Sequence, residues 1–541
     1  MALFTASRVQ IATYLLGVCP FSIAFLVFLN SSVSFVVTDL IGRDYGVGDA
    51  VGSLGFADEL VALIACPFWG LLSDRIGVRS VCFIGYIIIG LALFIFVQAK
   101  NVYPQLLLGR LFFSVGGAAA STMVTAVLPT MSFADPSSDG GARRVTGHRP
   151  APSIASELTI TPSNYRTQSQ TPRSQVKSTS ADSTSKIAGF VGMATGCGAL
   201  VALSVFLPLP AHFQNYGIDP AHALQYSYYI VGAVALLLAI VCLVGLRGLQ
   251  SEQGKGWTFL LRGDGQSPSN NLRSTARLLY SAFLAGFTRA DIFIGYVGGF
   301  VARASSVAIS LFVPLLVNAA FSSSGLCDSR QDNPAGLPDI KRRCPRAYVV
   351  AAEITGASQL VALVCAPLFG YWSSRTTNKT LPLMVSAVMG IVGYPLFALW
   401  FDPHDDDKPA RAVAFLAACF IGISQIGAIV CSLGILTNGI LVKATEGSPP
   451  NISPSEQPSA PETQPLLTTS ETSKSQSMNL TELKGSVAGV YSFYGGAGIL
   501  ILTKAGGALF DSTTRAAPFY MMASFNAVLL IVAGAASLKR R

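Results

Sequence analysis

The sequence predicts an all-α polytopic membrane protein with twelve transmembrane helices in two six-helix repeats. Hydrophobic residues make up 51% of the 541 residues and charged residues only 12%, whereas a soluble domain carries about 25% charged residues. Twelve apolar stretches are each long enough to cross a bilayer, which takes about 20 residues of helix. Segments of the second half also repeat segments of the first half at a constant offset of 300 positions.

The apolar stretches, numbered here as helices 1 to 12, fall into two groups of six. The first six cover residues 11–40, 50–72, 80–98, 104–131, 187–207 and 225–246, and the last six cover residues 291–320, 347–372, 381–401, 411–442, 484–508 and 516–538. Residues Met1 to Gln10 lead directly into helix 1 without a cleavage pattern. We therefore expect helix 1 to act as its own insertion signal.

Three polar segments divide the chain further. The N-terminal bundle, residues 1–246, contains an insert at 134–186, and the C-terminal bundle, residues 291–541, contains an insert at 444–483. Both inserts are rich in Ser, Thr and Pro, and this composition predicts disorder. The linker at 247–290 contains LRSTARLLYSAFLAGF, which suits either a helix on the membrane surface or the start of helix 7.

The distribution of charge indicates topology. The net charge of +9 comes from Lys and Arg residues that lie between the apolar stretches rather than in one block. Basic short loops face the cytosol, which places both termini inside, and nothing favours nucleic-acid binding. The loop between helices 7 and 8 would then face an oxidising compartment, where its Cys327 and Cys344 form either a disulfide or two free thiols.

The internal repeat is clearest in helices 2 and 8. Helix 2 contains ELVALIACPFWGLLSDR, Glu59 to Arg75, and helix 8 contains QLVALVCAPLFGYWSSR, Gln359 to Arg375, with eight of seventeen positions identical. The same offset relates Gly189, Gly196 and Gly198 of helix 5 to glycines 489, 496 and 498 of helix 11. Two halves with the same helix order are typical of alternating-access carriers, which hold substrate between the halves.

The loop after helix 2 carries the main family resemblance. GLLSDRIGVR, Gly70 to Arg79, resembles the helix 2 to 3 signature of the major facilitator superfamily, and GYWSSRTTNK, Gly370 to Lys379, is a second copy in which Ser374 replaces the aspartate. GRLFFSVGG, from Gly109, is similar to the family's helix 4 pattern. The likeness, which extends to drug/proton-type and vacuolar fungal-like members, implies the major facilitator fold and a transport function.

The resemblance also implies a conformational latch at this loop. We expect glycines to permit close helix crossings and the aspartate to pair in one conformation and release in another. A static topogenic loop is the alternative. The residues assigned to the latch are Gly70, Asp74, Arg75, Gly77, Arg79, Gly370 and Arg375.

Ionisable residues inside the spans are candidates for the substrate or proton site, because they are costly in lipid. Glu59 lies eleven residues before Gly70, which at about 1.5 Å per residue places it some 17 Å from the cytosolic end. Asp58 is about 100° around the same helix, so the two carboxylates cannot both face a central cavity squarely. Glu59 is preferred because its depth suits a substrate or proton site. Its repeat partner is Gln359. A structural hydrogen bond is the alternative role for Glu59.

Further candidates lie on other helices. Arg110 begins helix 4, where either a functional role or snorkelling to the headgroups fits. Arg303 lies deeper in helix 7 and is expected to hold an anionic group or to pair with Glu59. Asn30 and Gln425 are candidates for lining the cavity. Glu353 and Lys504 are interpreted as interfacial charges.

These patterns predict a secondary transporter of a small organic solute, with a buried carboxylate that takes up and releases protons. A transporter-like sensor is the alternative. The chain contains no Walker loop, nucleophile elbow or metal-ligand cluster, so we expect neither an enzyme nor a cofactor or metal. The expected partners are the small-molecule substrate, protons and the lipid bilayer, and we expect a monomer.

A sorting signal is predicted in the second insert. ETQPLL fits the acidic dileucine pattern through Glu462, Leu466 and Leu467, and chance occurrence in a low-complexity segment is the alternative. The pattern resembles signals that adaptors read for vacuolar or lysosomal membranes. We therefore favour such a membrane over the plasma membrane.

Overall fold

Twelve helices of the computed structural model are long and apolar enough to cross a membrane, within the residues that it describes: 6–42, 47–131, 173–249, 268–323, 345–401, 408–446 and 484–539. In the same residues no strand is present. A chain in hydrocarbon must pair its backbone polar groups internally, and helices achieve this within one segment. The predicted all-α polytopic fold is therefore confirmed.

We label the twelve spans in chain order. They are α1 (Arg8–Leu40), α2 (Ala50–Ile76), α3 (Val78–Phe96), α4 (Val102–Met131), α5 (Thr184–Asn215), α6 (Pro220–Gly245), α7 (Ala290–Phe321), α8 (Val349–Arg375), α9 (Leu381–Trp400), α10 (Ala412–Ile440), α11 (Lys484–Ser512) and α12 (Ala517–Lys539). Four of them continue as helix beyond the apolar span, over Val47–Ile76, Arg173–Val201, Pro345–Arg375 and Lys408–Glu446.

The helix that contains α5 corrects the predicted extent of the first insert. Residues 173–186 were expected to be disordered as part of the insert at 134–186, but the helix begins at Arg173. This segment contains no Gly or Pro, and it extends an existing helix, so the cost of helix nucleation is already met. The rest of that insert, and the second insert beyond residue 446, lie outside the described residues.

The linker contains a separate helix, Pro268–Thr288, here called the linker helix. Arg289 has extended backbone angles, φ −126° and ψ 115°, and separates this helix from α7. The buried Ala282 of the linker helix packs against α7, and its carbonyl oxygen accepts a hydrogen bond from the Tyr296 hydroxyl at 3.0 Å. Of the two sequence-based alternatives, the segment is therefore a helix of its own and not the start of α7.

Glycines that recur at the offset of 300 residues make equivalent contacts between the halves. A methyl group at Gly189 of α5 would lie 3.0 Å from the Cα of Gly370 in α8, and one at Gly489 of α11 would lie 3.1 Å from the Cα of Gly70 in α2. Such distances are shorter than ordinary van der Waals contact. Both helix crossings therefore depend on the absence of a side chain.

A second pair of repeated glycines packs each half internally. Gly198 of α5 lies directly against the backbone of Pro20 in α1, and Gly498 of α11 lies directly against the backbone of Phe300 in α7. The glycine repeat thus marks the same helix crossings in both halves. This geometry confirms the two six-helix pseudo-repeats predicted from the sequence.

Candidate functional site

The Asp74 carboxylate joins the two halves at the end of the bundle that carries the loop signature, here called the signature end. It accepts hydrogen bonds from the backbone N–H groups of Gly485 and Ser486 at 2.7 and 2.6 Å, and from the Ser486 hydroxyl at 2.7 Å. These amides lie in the first turn of α11, where N–H groups are not used within the helix and the dipole favours negative charge. Asp74 therefore binds the second half through a helix terminus.

The second copy of the signature makes a weaker contact at the equivalent place. The Ser373 hydroxyl of α8 lies 3.4 Å from the Ser185 hydroxyl of α5. Ser374, which replaces the aspartate, donates instead to the Tyr371 carbonyl of its own helix at 2.7 Å. Because the helix containing α5 continues back to Arg173, its amides near residue 185 are internal to the helix and offer no free terminus to a carboxylate.

The remaining signature residues hold helix ends. Gly77 joins α2 to α3 with φ +89°, a conformation that L residues rarely adopt. The Arg79 side chain donates from Nε to the Leu243 carbonyl at the end of α6, at 2.6 Å. Arg75 is half-buried in the last turn of α2. The Arg375 guanidinium lies 4.7 Å from the ring centroid of Tyr371 and so covers that ring.

Arg110 of α4 and Asp58 of α2 form a buried ion pair inside the first half. The closest contact, from Nη2 to Oδ2, is 2.6 Å, and Nε donates to the same oxygen at 2.9 Å. Nη2 also contacts the side-chain oxygen of Asn30 in α1. Arg110 is only 3% exposed, so it does not snorkel to a surface, and its Nη1 is buried without a hydrogen-bond partner.

Ser114 supports this ion pair and was not identified from the sequence. Its hydroxyl donates to the backbone carbonyl of Asp58 at 2.7 Å and joins α4 to α2 beside the charges. Ser114 follows Arg110 by four residues, so both lie on one face of α4. That spacing is the signal by which sequence reasoning could have found it.

Glu59 lies next to the buried pair but is used differently. Its side chain is half-buried, and among the described residues no hydrogen bond or direct ion pair engages its carboxylate. It interacts electrostatically with Arg303 of α7 in the other half and with Arg110. The expected pairing of Glu59 with Arg303 is therefore an electrostatic interaction between the halves, without a direct ion pair among the described residues.

A glycine in α11 makes room for Arg303. A methyl group at Gly495 would lie 2.7 Å from the Cγ of Arg303 and 3.4 Å from its Cβ. The stem of Arg303 thus crosses α11 at this position. Gly495 was not singled out from the sequence, although it stands in the pair Gly495-Gly496 inside a transmembrane helix.

Amide and hydroxyl groups of the second half form a small hydrogen-bond network that includes Ser306, three residues after Arg303. Gln425 of α10 donates to the Ser306 hydroxyl of α7 at 2.9 Å, and Gln359 of α8 lies 3.5 Å from the Gln425 side-chain oxygen. Ser306 follows Arg303 by three residues, so the two side chains leave α7 on the same face. The candidates Gln359 and Gln425 are thus brought together with each other and with Ser306, while Asn30 joins Arg110 in the first half.

The two charges interpreted as interfacial are both exposed. Glu353 lies in the first part of α8. The Lys504 ammonium lies 4.0 Å from the ring centroid of Phe56 in α2 and so makes a contact between the halves away from the signature end. Five other predicted site residues lie outside the described residues, namely Cys327, Cys344, Glu462, Leu466 and Leu467.

Comparison with known proteins identifies the same fold. Residues 21–132 match the sequence model of the Major Facilitator Superfamily, and no curated protein matches the chain in sequence. The human organic anion transporter MFSD10 (TETRAN) is 11% identical, with alignment over 97% of this chain and 99% of that chain and a TM-score of 0.51.

Two symporters of solved structure give a similar picture. The proton:xylose symporter XylE is 12% identical, with 97% of this chain and 94% of that chain aligned and a TM-score of 0.55. The E. coli fucose:proton symporter FucP is 14% identical, with 97% and 98% aligned and a TM-score of 0.51. At these identities the likeness concerns the fold, and it extends along nearly the entire chain.

Proposed function

We propose that this chain, a member of the major facilitator superfamily, is a secondary transporter that carries a small organic solute by alternating access and couples it to protons. The observation that supports this proposal most directly is that Glu59 and Arg303 interact electrostatically without a direct ion pair. This arrangement places one acid and one base in opposite halves, within electrostatic range of each other. A binding site shared by both halves is what a rocking carrier requires.

The latch supports the alternating part of the proposal. At the signature end the halves touch through backbone at Gly70 and through the carboxylate of Asp74. The Asp74 contact consists of hydrogen bonds rather than continuous packing, so it can be released as a unit when the halves tilt. With this end closed, substrate would enter from the opposite end of the bundle.

Glu59 is proposed as the proton carrier. Asp58 already neutralises Arg110 within the first half, which leaves the neighbouring Glu59 as the carboxylate without a direct partner among the described residues. A carboxylate in a partly dry cavity can change its protonation as the cavity opens to either side. We therefore expect protonation of Glu59 to be the step that is coupled to movement of the solute.

The test uses purified protein in liposomes that contain a pH-sensitive dye. Candidate sugars, amino acids, organic acids and amines are added outside one at a time, and a solute-dependent change of internal pH is expected for at least one class. Glu59→Gln should abolish the pH change while Glu353→Gln, an exposed acid on α8, leaves it intact. Solute binding without any movement across the bilayer would instead support the sensor function.

The membrane in which the protein works is a separate proposal. We propose a vacuolar or lysosomal-type membrane on the pattern of Glu462, Leu466 and Leu467. Fluorescently tagged protein should move to the plasma membrane when both leucines are replaced by alanine. An unchanged location in that variant would eliminate the pattern as a sorting signal read by an adaptor.

A further inference from the structure

The charges of the candidate site form two pairs of different kinds. Asp58 and Arg110 are in direct contact at 2.6 Å and neutralise each other within the first half. Glu59 and Arg303 interact across the halves without a direct ion pair. The four side chains together carry no net charge when Glu59 is ionised, but only Asp58 and Arg110 form a direct ion pair.

The two guanidinium groups that interact with Glu59 keep N–H donors without a hydrogen-bond partner among the described residues. Arg110 has a buried Nη1 without a partner, and among the described residues no hydrogen bond engages the Arg303 guanidinium. Both guanidinium groups lie within electrostatic range of the Glu59 carboxylate. A buried donor without a partner costs about 1–3 kcal/mol, so the site favours a ligand that brings acceptor oxygens.

We infer that the transported solute is a small organic anion that binds at Arg303 together with one proton on Glu59; this inference rests on the proposed function and names its substrate class. Guanidinium groups match the planar oxygens of carboxylates and related anions through paired N–H donors. Arg303 of the second half supplies that group within electrostatic range of Glu59 in the first half, so a bound anion would lie near both.

The proton follows from the charges around the anion. An anion at Arg303 would face the negative Glu59, which opposes its binding. When a proton from solution bonds to a carboxylate oxygen of Glu59, that negative charge disappears, so anion and proton together leave the charge of the site unchanged. Release reverses both steps on the other side of the membrane, and each cycle moves one anion and one proton without net charge.

The other charged or titratable groups near Glu59 do not change this balance. On its own helix these are Asp58, which is held by Arg110, and Cys66, which lies within electrostatic range. From α11, Lys504 lies over the ring of Phe56, one turn from Glu59. The Lys504 ammonium contacts that ring, and among the described residues no ion pair joins it to Glu59.

The experiment measures binding to the full-length purified protein with sets of compounds that share a skeleton and differ in charge. One set is butyrate, butylamine, 2-aminobutyrate and butyramide, and a second set is benzoate, benzylamine, phenylglycine and benzamide. Calorimetry at mildly acidic and mildly basic pH should find that an acid binds best. Its affinity should fall about tenfold per pH unit on the alkaline side, as expected for one linked proton.

Three variants separate the roles. Arg303→Gln should weaken binding of the acid at least about tenfold, the loss of one charge-assisted contact. Glu59→Gln, which resembles the protonated carboxyl, should bind the acid with an affinity that no longer changes with pH. Lys504→Gln is the control for general attraction of anions and should bind as the unmodified protein does.

Several outcomes would overturn the inference. These are tighter binding of an amine, amino acid or amide than of the matching acid, binding of the acid that ignores pH in the unmodified protein, an Arg303→Gln variant of normal affinity, or no binding of either acid. Failure of the proposed function looks different. In that case the acid binds with its proton but neither crosses a liposome membrane, whereas proton-driven movement of an amine would retain the transporter and exclude the anion.

Discussion

The Asp74 carboxylate lies 2.6 Å from the backbone nitrogen of Ser486, 412 positions away along the chain and in the opposite half of the molecule. Gly485 and the Ser486 hydroxyl donate to the same carboxylate. The contact places a negative charge at the first turn of α11, where the free amides and the helix dipole stabilise it. It therefore favours the arrangement in which the signature end is closed.

Asp74→Asn should open the signature end more often. The amide keeps the shape of the side chain but loses its charge, which weakens the three hydrogen bonds and the interaction with the helix terminus. We expect the open population to rise about tenfold. A cysteine at Ser373, which is 2% exposed at the crossing of α8 with α5, should then react faster with a maleimide added from the signature side.

Asp511→Asn, at an exposed acid on α11, serves as the matched control and should leave the labelling rate unchanged. Protein without the added cysteine gives the contribution of the native thiols. Equal labelling rates in Asp74→Asn and in Asp511→Asn would show that Asp74 has no part in closing this end.

Gly70→Ala should destabilise the closed arrangement through steric conflict. Its added methyl group would lie 2.8 Å from the Cα of Gly489 and 2.9 Å from the nitrogen of the same residue. Backbone cannot move aside as a flexible side chain does, so we expect a loss of about 1–3 kcal/mol. Thermal unfolding in detergent should show a lower midpoint.

The control for Gly70→Ala lies on the same helix. A methyl group at Gly55 of α2 meets no atom within 4 Å, and alanine favours helix over glycine by about 0.5–1 kcal/mol. Gly55→Ala should therefore unfold at the same temperature or a higher one. If both variants unfold alike, the close crossing of α2 and α11 does not limit stability.

The glycine contacts explain why so much of the fold could be predicted from the sequence. Gly189 and Gly489 recur at one offset because each is the point where a helix crosses a helix of the other half without an intervening side chain. Such steric requirements leave residue types at fixed spacings, and these can be read without coordinates. The helix count and the two repeats are predictable for the same reason, because lipid demands long apolar segments.

The different roles of Asp58 and Glu59 are harder to predict from the sequence. Adjacent residues differ by about 100° around a helix, and the sequence does not fix which side of α2 faces α4. The depth of Glu59 in the membrane is readable from the sequence, whereas the direct ion pair of Asp58 with Arg110 appears only in the structure. Gly495 was missed for a related reason, because it acts through Arg303 on another helix and has no chemistry of its own.

Breaking the Asp58 and Arg110 pair should destabilise the protein more than removing both charges. Either single change, Asp58→Asn or Arg110→Gln, leaves an uncompensated charge at a buried site, which costs about 3–5 kcal/mol. The double variant removes both charges and keeps side chains of similar size, so it should recover most of the thermal stability. A double variant less stable than each single one would contradict a simple ion pair.

Gly495→Ala should weaken binding of an anion without altering any charge. The new methyl group would lie 2.7 Å from the Cγ of Arg303, so the arginine stem must shift and move its guanidinium away from its present position. We expect an affinity about tenfold lower, since a displaced charge-assisted contact is worth roughly 1.5–3 kcal/mol. The same substitution at Gly507, where a methyl group on α11 meets no atom within 4 Å, should bind normally. Calorimetry with butyrate and benzoate distinguishes the two glycines, and equal affinities would mean that Arg303 reaches the ligand by a path that does not cross Gly495.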